Sequence, residues 1–168
     1  MITIVRKPGI GFYLPLARSE CMDLVQTILE ALSLASVNLE ISLVDDAEIA
    51  HLNKTFLGLT GPTNVLGFPP ETFGDPFYGE LAATLPPSIP RPDTSTVEDV
   101  LSLGSIALSL PTLRREALLY GQDCLEHFAR MLTHAILHLA GHEHGPAMEA
   151  LTEDTVEHVL AGNVAILP

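Results

Sequence analysis

The sequence predicts one α/β (α+β) domain: a small mixed β-sheet of about four strands with helices packed on it. Short segments that are β-branched, or that alternate apolar and polar residues, predict the strands. Apolar residues at helical spacing predict the helices between them. The 168 residues are enough for one buried core, and no internal repeat divides them. We therefore expect residues 1–168 to form a single domain.

The predicted elements alternate along the first half of the chain and become mainly helical in the second. Strands are expected at 1–5, 38–44, 63–68 and 101–110, and helices at 19–35, 45–57, 111–120, 123–140 and 147–160. Ser19, Asp45 and Asp123 are placed to cap three of these helices. The last helix is expected to end at Gly162.

The segment at about 69–98 fits neither a helix nor a strand. Seven of the thirteen prolines of the chain lie between 69 and 92, and proline cannot donate a backbone hydrogen bond. The segment is therefore predicted to be a long loop or flap. Two interpretations stay open: a disordered surface insert, or a lid over a functional cleft.

Composition limits the kind of partner the protein can bind. The net charge is −13 with eight basic residues, which argues against a protein that grips nucleic acid through a basic face. A bound divalent cation would supply positive charge locally, so a metal-dependent nuclease is not excluded. The sequence has no apolar run long enough to span a membrane and no signal-peptide pattern. Two isolated cysteines suit a reducing cytoplasm.

The strongest chemical signal is the pattern H-x-x-x-H-x-x-G-x-x-H at 134–144. On a helix, His134 and His138 lie one turn apart on the same face. Gly141 can leave the helix through a positive φ, which allows His144 to return to the same place. Three neutral imidazoles bind a divalent transition metal and leave a coordination position open for water. We therefore predict His134, His138 and His144 as metal ligands.

Two further residues of this segment are not predicted as ligands. His142 directly follows the turning glycine and is predicted to be a neighbour of the site and not a ligand. Glu143 has two interpretations. It either orients or deprotonates a water or a histidine at the site, or it is a solvated carboxylate on a turn.

The histidine segment resembles the signature of the YbeY family, bacterial metal-dependent endoribonucleases that act on ribosomal RNA. The family pattern is H-G-x-L-H-L-x-G-Y-D-H, and this chain has H-A-I-L-H-L-A-G-H-E-H. The departures are Ala135, His142 and Glu143. Metzincin proteases share the histidine spacing but carry a glutamate after the first histidine as general base. Alanine at 135 cannot perform that role.

A second stretch carries the same resemblance. The family has Pro-Thr-(Asp/Asn)-Val-Leu-Ser-Phe-Pro where this chain has P-T-N-V-L-G-F-P, so Gly67 replaces the serine. Asn64 is a candidate for binding a phosphate or ribose, or for tying the strand end to its turn. The family also carries an arginine where this chain has Leu57 and an aspartate where it has Ser105.

The resemblance implies one Zn²⁺, or another divalent transition metal, per chain. It also implies ribosomal RNA as substrate, the ribosome or ribosome-assembly proteins as partners, and His134, Glu143 and Asn64 as catalytic candidates. Because Leu57 and Ser105 depart from the family, we expect full metal binding but weak ribonuclease turnover. Arg91, Arg114 or Arg115 reaching in from elsewhere could replace the missing arginine.

Two other functions stay open at this stage. One is a different zinc-dependent hydrolase, such as an amidase or peptidase. The other is a non-catalytic ribosome-assembly factor stabilised by its metal. Degradation of single-stranded RNA that is lost in His134→Ala separates the nuclease from the binding protein.

Overall fold

The computed structural model describes residues 1–70 and 101–163, so the predicted loop or flap at about 69–98 lies almost wholly outside the described residues. Within these ranges the chain forms four strands, five α-helices and a short 3₁₀ turn at Gly11–Tyr13. The strands are β1 (Ile2–Arg6), β2 (Val37–Val44), β3 (Val65–Phe68) and β4 (Leu101–Ser109). The helices are α1 (Arg18–Ala31), α2 (Asp46–Leu57), α3 (Leu110–Tyr120), α4 (Cys124–Leu139) and α5 (Pro146–Asn163).

The four strands form one mixed sheet in the order β1-β2-β4-β3. The β1–β2 and β2–β4 pairs are parallel, and β3 pairs with β4 in the antiparallel direction. Strand β3 is therefore an edge strand of opposite direction to its neighbours. The predicted mixed four-strand sheet with packed helices is confirmed. None of the described helices is long and apolar enough to cross a membrane.

The two faces of the sheet are covered unequally. The larger core lies on the face that packs against α1, α4 and α5, where Ile41, Ile106 and Leu108 contribute from the sheet. A smaller cluster on the opposite face joins α2 to the sheet: Val44, Ile49, Leu52, Leu66 and Ala107. Helix α4 thus belongs to the main core layer, as the apolar spacing of its sequence predicts.

Two of the three predicted helix caps form as expected. A side-chain oxygen of Asp45 accepts from the Glu48 N–H at 3.0 Å, and one of Asp123 accepts from the Leu125 N–H at 2.8 Å. The third prediction was wrong, because α1 begins at Arg18 and Ser19 lies inside it. Here the Glu20 carboxylate accepts from the Ala17 N–H at 2.5 Å. A side chain in the first turn of the helix therefore bonds the backbone of the residue that precedes the helix.

Two predicted helix ends also shift. Helix α1 stops at Ala31 and not near residue 35, because Ser33 takes a left-handed φ of 60° that ends the helical turn. Helix α5 continues through Gly162 to Asn163. Glycine is tolerated inside a helix at a modest cost, so it does not force a stop.

Gly104 allows β4 to lie close to the backbone at the C-terminal end of β3. Its φ is +100°, and the register of β2 against β4 shifts at this point between Asn38 and Leu39. A methyl group on Gly104 would overlap the Phe68 carbonyl oxygen and lie 2.9 Å from the Pro70 nitrogen. Both neighbouring atoms are backbone, so neither can move aside without displacing β3.

We expect Gly104→Ala to destabilise the fold by about 2 kcal/mol or more, because it combines left-handed strain with a backbone clash. Gly58→Ala is the matched control. Its φ of +68° carries similar strain, but nothing lies within 4 Å of the added methyl, so about 1 kcal/mol is expected. Urea unfolding of both variants measures the difference. Equal losses would show that the contact with Phe68 is not a constraint.

Candidate metal centre

The apolar side of α4 fixes the direction of its histidines. Phe128, Leu132 and Ile136 are fully buried in the main core. With that side held against the sheet, His134 lies half-buried and His138 exposed at the surface, one helical turn apart. The rotation of the helix is therefore set by burial of apolar side chains and not by the histidines themselves.

The turn after α4 brings the third histidine back. Gly141 has a φ of +91°, and the His142 N–H donates to the Leu137 carbonyl at 3.0 Å, closing the C-terminus of the helix. Helix α5 begins two residues after His144, at Pro146. The chain reverses within this short turn, which places His144 beside the last two turns of α4.

The three imidazole rings lie together. The ring centres are 6.2 Å apart for His134 and His138, 5.0 Å for His134 and His144, and 4.5 Å for His138 and His144. The Nε2 atoms of His134 and His144 are 3.1 Å apart. Two Nε2 atoms at this separation either share a proton or face a common cation, and both arrangements need at least one ring to be neutral.

One hydrogen bond fixes the tautomer of His138. Its Nδ1 lies 3.3 Å from the His142 carbonyl oxygen. A carbonyl oxygen only accepts, so Nδ1–H must be the donor. In the neutral ring, Nε2 is then unprotonated and available as a ligand. A backbone carbonyl that holds the second ring nitrogen in this way is a common support for metal-ligating histidines.

These three histidines fit a transition metal in donor chemistry and in proximity. In the ranges 1–70 and 101–163, however, no group of three or more His, Cys, Asp or Glu side chains already has its donor atoms in the geometry of a metal site. The rings are neighbours, and side-chain rotations would have to bring their nitrogen atoms onto one centre. His138 and His144 are both exposed and therefore have room for such rotations.

Burial keeps His134 neutral. Desolvation lowers the pKa of its imidazole below the ordinary value of 6.5, and the nearby His144 and His138 lower this pKa further. A neutral imidazole is the form that binds metal. The half-buried ring is thus prepared for coordination near neutral pH.

The remaining residues of the turn lie at the surface. His142 and Glu143 are both exposed. The described contact of His142 with the site is made by its backbone carbonyl, which is the neighbouring position that the sequence predicts for it. Glu143 directly precedes His144 in the sequence.

Asn64 is held by a network that the sequence did not reveal. Its Nδ2 donates to the Glu116 carboxylate at 3.1 Å and lies 3.5 Å from Met131 Sδ. Its Oδ1 accepts from the Val65 N–H at 2.7 Å. Of its two proposed roles, these contacts describe the one that ties the strand end to its surroundings.

His127 was also missed as a residue of interest. It is 3% exposed, and its Nε2 lies 2.9 Å from a Glu116 carboxylate oxygen and its Nδ1 3.0 Å from Gln122 Oε1. The only sequence signal was its position seven residues before His134, on the same side of α4. Glu116 therefore links α4 to Asn64.

Two residues differ from the family pattern, and they lie in different surroundings. Leu57, the last residue of α2, is 58% exposed. Ser105 lies on the α2 face of the sheet with Ala107, opposite to α4, and donates to Glu40 on β2 at 3.5 Å. A side chain at 105 therefore points away from the ligand helix.

Two of the three arginine candidates are engaged within the fold. Arg114 donates to the Phe12 carbonyl at 3.2 Å, and Arg115 donates to the Asp46 carboxylate at 2.7 Å. Burial raises the pKa of Asp46, but bonds from Arg115, Ser109 and Thr112 outweigh it and hold that pKa below the ordinary 3.8. Arg91 lies outside the described residues.

Comparison with known proteins identifies the relatives of this chain. The family model described as Endoribonuclease YbeY matches residues 14–161. The Endoribonuclease YbeY of Oleidesulfovibrio alaskensis is 40% identical over 157 residues, covering 94% of this chain and 91% of the relative. That of Nitratidesulfovibrio vulgaris is 39% identical, with 90% of each chain covered. The solution structure of a Thermotoga maritima protein shares the fold, with a TM-score of 0.60 at 22% identity, covering 98% of this chain and 93% of that one.

We expect alanine at His134, His138 or His144 to abolish stoichiometric metal, because two imidazoles alone hold the ion weakly. His142→Ala is the matched control, since its described contact comes from the backbone. Metal analysis of the purified variants measures this. If His142→Ala alone empties the protein of metal, the ligand assignment is wrong.

The pKa of His134 predicts a pH-dependent stability of the metal-free protein. The unfolded chain binds a proton at His134 near pH 6.5, whereas the folded protein binds it only at lower pH. Stability is therefore fully retained above pH 6.5 and decreases as the pH falls below it. Replacing His134 with asparagine should reduce the fall in melting temperature between pH 7 and 5. An unchanged pH slope in this variant would contradict the assignment.

Proposed function

The chain belongs to the endoribonuclease YbeY family, and from that premise we propose that it cleaves single-stranded RNA with a divalent metal held by His134, His138 and His144. Zinc is the proposed ion because imidazole nitrogens suit it. Ribosomal RNA is the proposed substrate, the ribosome or its assembly proteins are the proposed partners, and the cytoplasm is the proposed location. The observation that carries the proposal is that three imidazole rings lie next to one another, with centres 4.5–6.2 Å apart, where α4 meets the following turn.

The residues around this site would have separate roles in the reaction. When bound, the ion supplies a Lewis acid that lowers the pKa of water and offsets phosphate charge. The His142 carbonyl holds His138 in the tautomer with a free Nε2. Glu143, exposed beside His144, is the proposed acceptor of the proton from the attacking water. Asn64, whose amide is bonded to Glu116, would act indirectly, by holding the start of β3 beside α4.

A peptidase function is less well supported by the same residues. In metzincin proteases a glutamate directly after the first histidine serves as general base. Here that position is Ala135, which is 4% exposed and packed in the core. No ionisable group can act from there.

The proposed activity predicts RNA cleavage that depends on the histidines. Zinc-loaded protein should cut a single-stranded oligoribonucleotide internally, and His134→Ala should not, because the ion is lost with its ligand. His142→Ala should retain most of the activity. Absence of cleavage by the zinc-loaded wild type, with other divalent metals also tested, would contradict the proposal.

The same assay tests the effect of Leu57. A guanidinium binds phosphate bidentately and leucine cannot, so Leu57→Arg should raise kcat/KM by about tenfold or more. Leu59→Arg is the matched control, because Leu59 is 57% exposed two residues away and the variant adds the same charge. Equal gains in both variants would mean that only net charge matters. No gain in either would mean that position 57 does not approach the substrate.

A further inference from the structure

Strand β3 has one backbone edge that β4 does not use. The Ser109 N–H donates to the Asn64 carbonyl at 2.9 Å, and the register pairs Val65 with Leu108 and Gly67 with Ile106. In an antiparallel pair, residues that bond the partner strand alternate with residues whose N–H and C=O point away. Asn64, Leu66 and Phe68 therefore face β4, whereas Val65 and Gly67 direct their backbone groups outward.

The described residues provide an acceptor for only one of these two outward N–H groups. The Val65 N–H donates to Asn64 Oδ1 at 2.7 Å, and Glu116 holds the other end of that amide. Among residues 1–70 and 101–163, the Gly67 N–H has no hydrogen-bond acceptor. Gly67 is itself an exposed residue.

This edge borders the three histidines. Strand β3 lies along α4, since Asn64 contacts Met131 and a methyl group on Gly67 would lie 3.4 Å from Leu139. Successive residues turn by about 100° around a helix. Met131 and Leu139 thus mark the side of α4 that faces β3, and Leu132 and Ile136 lie next to that side, towards the core. His138 and His134 lie on the opposite side, beyond the outer edge of β3.

We propose that the outward backbone edge of β3 at Gly67 binds the RNA strand that lies across the histidines. The Gly67 N–H donates to a phosphate oxygen next to the scissile one. This inference rests on the proposed function and names a binding residue for it. Backbone N–H groups are frequent phosphate donors, and this one needs no neighbouring cation, which matters in a chain of net charge −13. A side chain at Gly67 is not part of the contact.

Proline at position 67 tests the donor directly. Gly67→Pro removes the N–H on the outward side of an edge strand, where proline is tolerated, and leaves the bonds to β4 in place. Gly67→Ala is the matched control, because it keeps the N–H and its methyl makes an ordinary 3.4 Å contact with Leu139. We expect Gly67→Pro to lower kcat/KM by about ten- to a hundredfold, mainly through KM, with metal content unchanged. Gly67→Ala should lose much less of kcat/KM than Gly67→Pro, because it keeps the N–H donor.

If Gly67→Pro does not fold, an amide spectrum of the wild type tests the same contact. Adding a 2′-O-methyl oligoribonucleotide, which resists cleavage, should shift the Gly67 ¹⁵N–¹H resonance, whereas the internally bonded Val65 amide should shift little. Cleavage by Gly67→Pro at wild-type kcat/KM, or an unshifted Gly67 resonance with RNA bound, would overturn this inference alone. A Gly67 shift caused by an extended peptide and not by RNA would assign the edge to a protein partner and also overturn it. A wild type that cuts no RNA fails the proposed function instead.

Discussion

The burial of one side of α4 is the constraint on which the rest of the site depends. Phe128, Leu132 and Ile136 are fully enclosed between the sheet and the other helices. Removing a side chain of this size from such a core typically costs 2–5 kcal/mol, so the helix cannot rotate freely. The direction in which the histidines on its other side point is therefore fixed as well. A single amphipathic helix thus supplies both the core and two of the proposed ligands.

Strand β3 is the second element that gives the site its shape. It is short, it is the edge of the sheet, and it runs opposite to its neighbours. Gly104 allows β4 to bend past its exit, and Asn64 ties its start to Glu116 and thereby to His127. These contacts come from three separate elements. Together they hold a short strand, which would be weak alone, against the ligand helix.

Local signals in the sequence predicted that the five helices exist and in which order, because apolar spacing acts over a few residues, but they misplaced the cap and end of α1 and the end of α5. The turn at Gly141 was predictable for the same reason: a left-handed residue and a third histidine follow directly after the helix. The position of β3 was not predictable in this way, since pairing between distant strands leaves no local pattern. The Asn64–Glu116–His127 network was missed because its residues are 52 and 11 positions apart. The surroundings of Ser105 likewise depend on which sheet face it occupies.

Three imidazoles and a coordination position open to solvent define the proposed metal site. X-ray absorption at the zinc edge of the zinc-loaded protein reports the number and type of ligands without needing a crystal. We expect three nitrogen ligands at about 2.0–2.1 Å and one or two oxygen ligands from solvent. A fourth nitrogen ligand, or a sulfur ligand from a cysteine, would instead indicate a closed structural site and rule out the open position.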